Sequence, residues 1–263
     1  MPTVTARDGV ALHVETRGEG PLVVVAFGLW APPDALIALR DELAADHRVL
    51  TYDLRGTGRS ERRGPYDLAA DVADLADIVA AHRPPATFVA AGAGSTLALH
   101  VLVEHPDLAT AVVSPSGSPV NRIVGRATGD SFAASRSVFE LLNEQAQRDY
   151  RGFVRSIVAS TNPQLDDKGV SERVARVVDY VPHEVMIARL RAWMADDAVA
   201  ISRAAGSRLT ILLHEGDPWS GSGAVAATQE LLPDATVLAV ENGPLSRPDI
   251  TAGIVRRVSG VAA

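Results

Sequence analysis

The 263-residue chain has no cysteine, a single lysine, and aromatic side chains at only 5% of positions. Without a thiol there can be no thiolate nucleophile, no disulfide and no cysteine-bound metal. Lys168 sits in the polar run Asp166-Asp167-Lys168-Gly169, a loop-like setting that suits a solvated surface lysine, so Schiff-base chemistry is not expected. The seven histidines never occur at a metal-ligand spacing such as HxxxH, and neither a metal nor another cofactor is expected. Lysine and arginine form no cluster and the formal net charge is −7, which excludes an extended surface for nucleic acid or anionic membrane. No apolar run reaches the length of a membrane helix, and the opening MPTVTARDGV has no basic region leading into an apolar stretch. A soluble, cytoplasmic protein with a small, largely apolar partner is the expectation; the oligomeric state is left open.

What is present is hydrophobic and rhythmic. With 47% hydrophobic residues the chain can bury one sizeable core. Short runs rich in Val, Leu, Ile and Ala occur at Val10–Glu15, Leu22–Phe27, Arg48–Asp53, Ala86–Gly92, Thr110–Ser114, Leu209–Glu215 and Thr236–Glu241. Amphipathic stretches at helical spacing lie between many of them, at Asp34–Ala45, Asp67–His82 and Thr96–Glu104. Near-continuous apolar strands separated by helices predict an α/β fold with a mostly parallel sheet covered on both faces.

One segment departs from this alternation. From Pro119 to Ala195 the pattern is helical, and it carries Phe132, Phe139, Tyr150, Phe153, Tyr180 and Trp193. A helical insertion between two strands of a doubly wound sheet tends to lie over the carboxyl ends of the strands, where such sheets bind ligands. The expected organisation is a core over 1–118 and 196–263 with a helical cap over 119–195, some of whose aromatics face a pocket.

The stretches LVVVAFGLW (Leu22–Trp30), HRVLTYDLRGTGRS (His47–Ser60) and FVAAGAGSTLALHVLVEHPD (Phe88–Asp107) together resemble the α/β-hydrolase superfamily over almost the whole chain. Asp53 to Ser60 closely match that superfamily's DxRGxGxS stretch. The resemblance implies a serine on a sharp G-x-S-x-G strand-to-helix turn, an acid after a later strand and a histidine after the last one. Here Ala90-Ala91-Gly92-Ala93-Gly94 fills that frame, so Gly92 takes the nucleophile position. Pro244 or Leu245 falls where the base belongs, and no histidine follows His214. Asp217, before Pro218, matches the acid. Ser95 lies three residues beyond the turn, where a residue normally packs the new helix against the sheet.

A remodelled site of this kind loses covalent acyl transfer but keeps main-chain donors. The resemblance implies an oxyanion hole from the backbone N–H groups of Ala93 and Leu29, with Gly28, Gly92, Trp30, Trp219, Glu241, Phe132, Phe139 and Trp193 lining a pocket. Asp217 is the first candidate base, because burial under an apolar cap raises a carboxylate pKa, and His214 is the second. The primary expectation is a non-hydrolytic isomerase, epimerase or cyclase acting on a bulky, largely apolar carbonyl metabolite. It would be similar to triad-less natural-product enzymes of this fold such as the bottromycin peptide epimerase. The alternatives are an inactive ligand-binding or sensory protein, and a hydrolase with relocated catalytic groups.

Overall fold

In the computed structural model, the described residues are 3–27, 34–115, 143–162, 164–214, 223–241 and 247–261. They contain an eight-stranded sheet in the order β1-β2-β4-β3-β5-β6-β7-β8. Its strands are β1 (Thr3–Thr5), β2 (Ala11–Arg17), β3 (Leu22–Phe27), β4 (Arg48–Tyr52), β5 (Ala86–Ala91), β6 (Ala109–Ser114), β7 (Leu209–Leu213) and β8 (Thr236–Ala239). From β4 to β8 every neighbouring pair is parallel, while β2 runs antiparallel to β1 and β4. The expected mostly parallel sheet is therefore present.

The apolar strands at the centre serve both faces by alternation. Val24, Ala26, Phe88 and Ala90 point into a core shared with α2 (Leu68–Ala80) and α3 (Ala93–Glu104). Val23, Val25, Val89 and Ala91 point to the opposite face, against α1 (Asp34–Leu43) and the last helix. Asp67 begins α2, its side chain accepting from the Ala70 N–H at 2.8 Å as an N-cap should.

Between β6 and β7 the described residues are helical: α4 (Tyr150–Thr161), α5 (Asp167–Tyr180), α6 (His183–Ala195) and α7 (Ala198–Ala205). The first three build their own core from Phe153, Val154, Val158, Val174, Val177, Val185, Met186 and Leu190, joined by Ala93 of α3. Helices α8 (Ala224–Leu231) and α9 (Pro248–Ser259) complete the chain.

Several boundaries differ from expectation, four of them at the carboxyl end of the sheet. Strand β5 stops at Ala91, leaving Gly92 in a turn, and α3 begins at Ala93 rather than Thr96. Strands β7 and β8 end at Leu213 and Ala239, so His214 and Glu241 follow their strands instead of closing them. The short β1 was not anticipated, since three residues carry too little pattern and its pairing comes from β2.

Gly94 permits α3 to lie against β3: a Cβ there would collide with the Ala26 carbonyl oxygen and approach Phe27 Cα at 3.0 Å. Gly94→Ala should cost roughly 1–3 kcal/mol in urea unfolding, because a backbone neighbour cannot swing aside. A second tie is titratable. His100 Nδ1 meets Glu104 Oε1 at 2.6 Å and its Nε2 meets Asp196 Oδ1 at 3.1 Å. The hydrogen bond to Asp196 raises the imidazole pKa, burial opposes it, and Glu104 adds to the rise. A pKa raised by folding contributes stability fully below the unfolded value of about 6.5 and loses it as pH climbs through the folded value. The stability difference between wild type and His100→Gln should therefore shrink as pH is raised across that window in parallel denaturation series.

Candidate functional site

The turn from β5 into α3 is the centre of the candidate site. Gly92 adopts φ 59° and ψ −137°, a conformation that L side chains rarely hold. Among the described residues nothing lies within 4 Å of a Cβ built on Gly92, while the positive φ strains any side chain placed there. Ala93 follows as the first residue of α3, where first-turn N–H groups have no intrahelical acceptor. Its buried methyl group faces the core of α4–α6.

Ser95 is not a displaced nucleophile. It is fully buried, with its Oγ donating to the Ala90 carbonyl at 2.8 Å and lying 3.0 Å from Ser114 Oγ. It ties α3 to the sheet, as its place in the first turn suggested.

The other expected site residues fall into two groups. His214, half-buried, and Glu241, exposed, lie just beyond the carboxyl ends of the paired strands β7 and β8. That end is the same one from which β5 delivers Gly92. Trp193 on α6 borders a small cleft of about 20 Å³ with Ala93, Thr96, Leu97 and Arg189, enough for about one water. Thr96 Oγ1 and Arg189 Nη1 are buried there without a protein hydrogen-bond partner. Gly28, Leu29, Trp30, Phe132, Phe139, Asp217 and Trp219 lie outside the described residues.

Three further aromatics of the insertion, not among the expected pocket residues, serve packing and hydrogen bonding. Phe153 is buried in the valine-rich core. Tyr150 stacks on His183 at 5.1 Å and donates to the Val181 carbonyl. Tyr180 donates to Asp53 Oδ1 at 2.7 Å. Burial, with the neighbouring Asp53 charge, pushes that phenol's pKa up, so it remains a donor.

The DxRGxGxS stretch is thereby explained as a seat for the inserted helices. Asp53 accepts from the Arg59 N–H at 2.9 Å as well as from Tyr180, and the Gly58 N–H donates to the Tyr180 carbonyl. Arg55 grips Asp74 through Nε at 2.7 Å and Asp8 through Nη1 at 2.9 Å. Its own carbonyl accepts from Arg189 Nη2 at 2.7 Å. Arg189 of α6 forms a two-pronged pair with Asp71 of α2, both contacts 2.7 Å and both side chains 4% exposed. No local pattern could reveal a contact between positions 71 and 189; only the fold brings them together.

An eight-stranded, mostly parallel sheet whose central strand turns through a glycine of positive φ into a buried helix defines an α/β-hydrolase-fold protein. The alpha/beta hydrolase family model matches residues 22–252, and the chain belongs to that family. It is 34% identical over 109 residues to the pimeloyl-[acyl-carrier protein] methyl ester esterase of Chromobacterium violaceum, covering 41% of each chain. It is 29% identical over 216 residues to the putative carbamate hydrolase RutD of Caulobacter vibrioides, covering 74% of this chain and 73% of that one. The chain thus spans 41% and 56% of the length of two matched methyl ester esterases. Among solved structures, an esterase from Exiguobacterium antarcticum superimposes with a TM-score of 0.81 at 18% identity, over 97% of this chain and 98% of that one. Among the described residues no helix is long and apolar enough to cross a membrane.

The buried pair supplies a stability test. Asp71→Ala strands the Arg189 guanidinium and should cost roughly 3–5 kcal/mol in chemical denaturation. The double variant Asp71→Leu/Arg189→Met should lose clearly less, because it leaves no uncompensated charge.

Proposed function

We propose that the protein is a small-molecule hydrolase of the α/β-hydrolase family in which a water molecule takes the place of the nucleophilic side chain. The observation that carries this reading is the Gly92 turn, which combines the backbone form of a nucleophile elbow with no described atom within 4 Å of where a side chain would begin. An ester or carbamate carbonyl would sit against the N–H groups of Ala93 and Leu29. Water above Gly92 would attack the carbonyl carbon while Asp217, with His214 as the second candidate, accepts its proton. Collapse would break the bond to the leaving group, which takes the proton from the same base. No covalent acyl intermediate forms at the elbow. The insertion over 119–195 would act as the cap that closes this site, with Trp30, Trp219 and Trp193 on its walls.

The esterases and carbamate hydrolase among the relatives support hydrolysis over the isomerase, epimerase or cyclase chemistry expected from the sequence. A second reading keeps the same donors and base for non-hydrolytic enolate chemistry, and the glycine at the nucleophile position is what favours it.

Turnover of a p-nitrophenyl carbamate tests the proposal. Asp217→Asn should lower kcat by roughly two to four orders of magnitude. Gly92→Ala places a methyl group where the water must stand and should abolish turnover in a protein that still melts cooperatively; its positive φ costs an L residue about 1–2 kcal/mol. Wild-type rates in Gly92→Ala would remove the chemistry from the elbow. Absence of hydrolysis, with Asp217-dependent deuterium exchange at the acidic carbon of a bound ketone, would establish the second reading instead.

A further inference from the structure

The other end of the sheet holds an arrangement that the elbow does not use. The amino ends of β3 to β6 border a cavity of about 640 Å³ walled by Arg48, Arg83, Thr87, Thr110 and Ser259, among others. Ser259 is the last residue of α9 and is half-buried. Its Oγ lies 2.7 Å from Nε2 of His47, a ring with no solvent exposure. Nδ1 of the same ring is hydrogen-bonded to Asp46 Oδ1. The second Asp46 oxygen accepts from Arg256 Nε at 2.6 Å, and Arg256 also reaches Glu42 at 3.2 Å. Burial would raise the Asp46 pKa, but the hydrogen bonds from Arg256 and His47 outweigh it and hold the carboxyl below the usual range.

An ionised Asp46 requires a proton on Nδ1 of His47, and a neutral imidazole then presents the Nε2 lone pair to Ser259. The serine hydroxyl has one proton and two acceptors, Nε2 at 2.7 Å and the Arg256 carbonyl at 3.2 Å, and the shorter contact is the imidazole. This is the connectivity that activates a serine: hydroxyl to base, base to an anchored carboxylate.

We propose that Ser259, His47 and Asp46 form a second nucleophile, base and acid array, separate from the elbow, that cleaves small carboxylic esters entering the amino-end cavity. Ser259 Oγ bonds to the ester carbonyl carbon as its proton passes to His47 Nε2. The bond to the alcohol oxygen then breaks, and that oxygen leaves with the proton from His47. Water attacks the resulting acyl-serine, giving its proton to His47, and the carboxylic acid departs as the proton returns to Ser259. Arg83 and Arg48, whose Nη2 donates to the His82 carbonyl, share the cavity wall with Glu19, and the two guanidinium groups would supply positive charge for the developing oxyanion. The inference does not depend on the elbow reading, which forms no covalent intermediate.

Treatment of the intact protein with a fluorophosphonate, followed by peptide mapping, tests it. The expected result is one phosphonyl group on Ser259, none on Ser259→Ala, and labelling slowed by at least about tenfold in Asp46→Asn, which keeps the shape of the site. His47→Gln should be silent, and thermal melting identifies whether that buried change has also unfolded the protein. No labelling of folded wild type, labelling of a different serine, or labelling that persists in Ser259→Ala would overturn the proposal and reduce the array to a tie between α9 and the segment before β4.

Discussion

The close approach of α3 to the sheet is the constraint on which the site depends. Two glycines make it possible for different reasons: Gly92 accepts a positive φ, and Gly94 leaves room for the backbone of β3. With the helix so placed, Ser95 reaches the Ala90 carbonyl and Ser114, fixing α3 across two strands. Ala93 then meets the inserted helices with its side chain and the carboxyl end of the sheet with its backbone. The chemistry proposed at the elbow uses what this geometry supplies, namely main-chain polarity and space, and asks nothing of residue 92 beyond its conformation.

A second set of contacts determines what can approach that turn. Tyr180 and Arg189 hold the inserted helices to the Asp53–Ser60 segment and to Asp71 through charge-assisted bonds in a buried setting. These bonds make this flank of the insertion a wall, and ligand entry is expected from another side. The arrangement also accounts for the density of polar groups in a stretch that performs no proton transfer: Asp53, Arg55 and Ser60 are consumed in shaping one loop and seating α5 and α6.

Much of the fold was legible because it rests on short-range pattern. Leu22–Phe27 matches β3 residue for residue, since a continuous apolar run can be buried on both faces only in a central strand. The start of α3 was placed three residues late because Ala-Gly-Ser carries a loop-like composition, and the helix there is enforced by packing on β3. The glycine at position 92 was singled out from the phasing of Phe88–Asp107, and it adopts a positive φ between β5 and α3. The cap aromatics were harder, because the pattern distinguishes a helix face from a loop but not one neighbour from another. Phe153, Tyr150 and Tyr180 went to packing and hydrogen bonds inside the insertion. Contacts such as Arg189 with Asp71, or His47 with Ser259, join residues 118 and 212 positions apart and leave no trace in local sequence.

The central claim, that the elbow presents its backbone to an oxyanion, is tested most directly by the amide resonance of Ala93 in ¹⁵N-labelled protein titrated with a small carboxylate such as butyrate. A carboxylate carries the charged oxygen that the site is proposed to hold. Saturable movement of the Ala93 N–H, shared by residues at the carboxyl ends of β5 and β7, is the predicted result. An Ala93 resonance that stays fixed while butyrate saturates a site elsewhere on the protein would contradict the account.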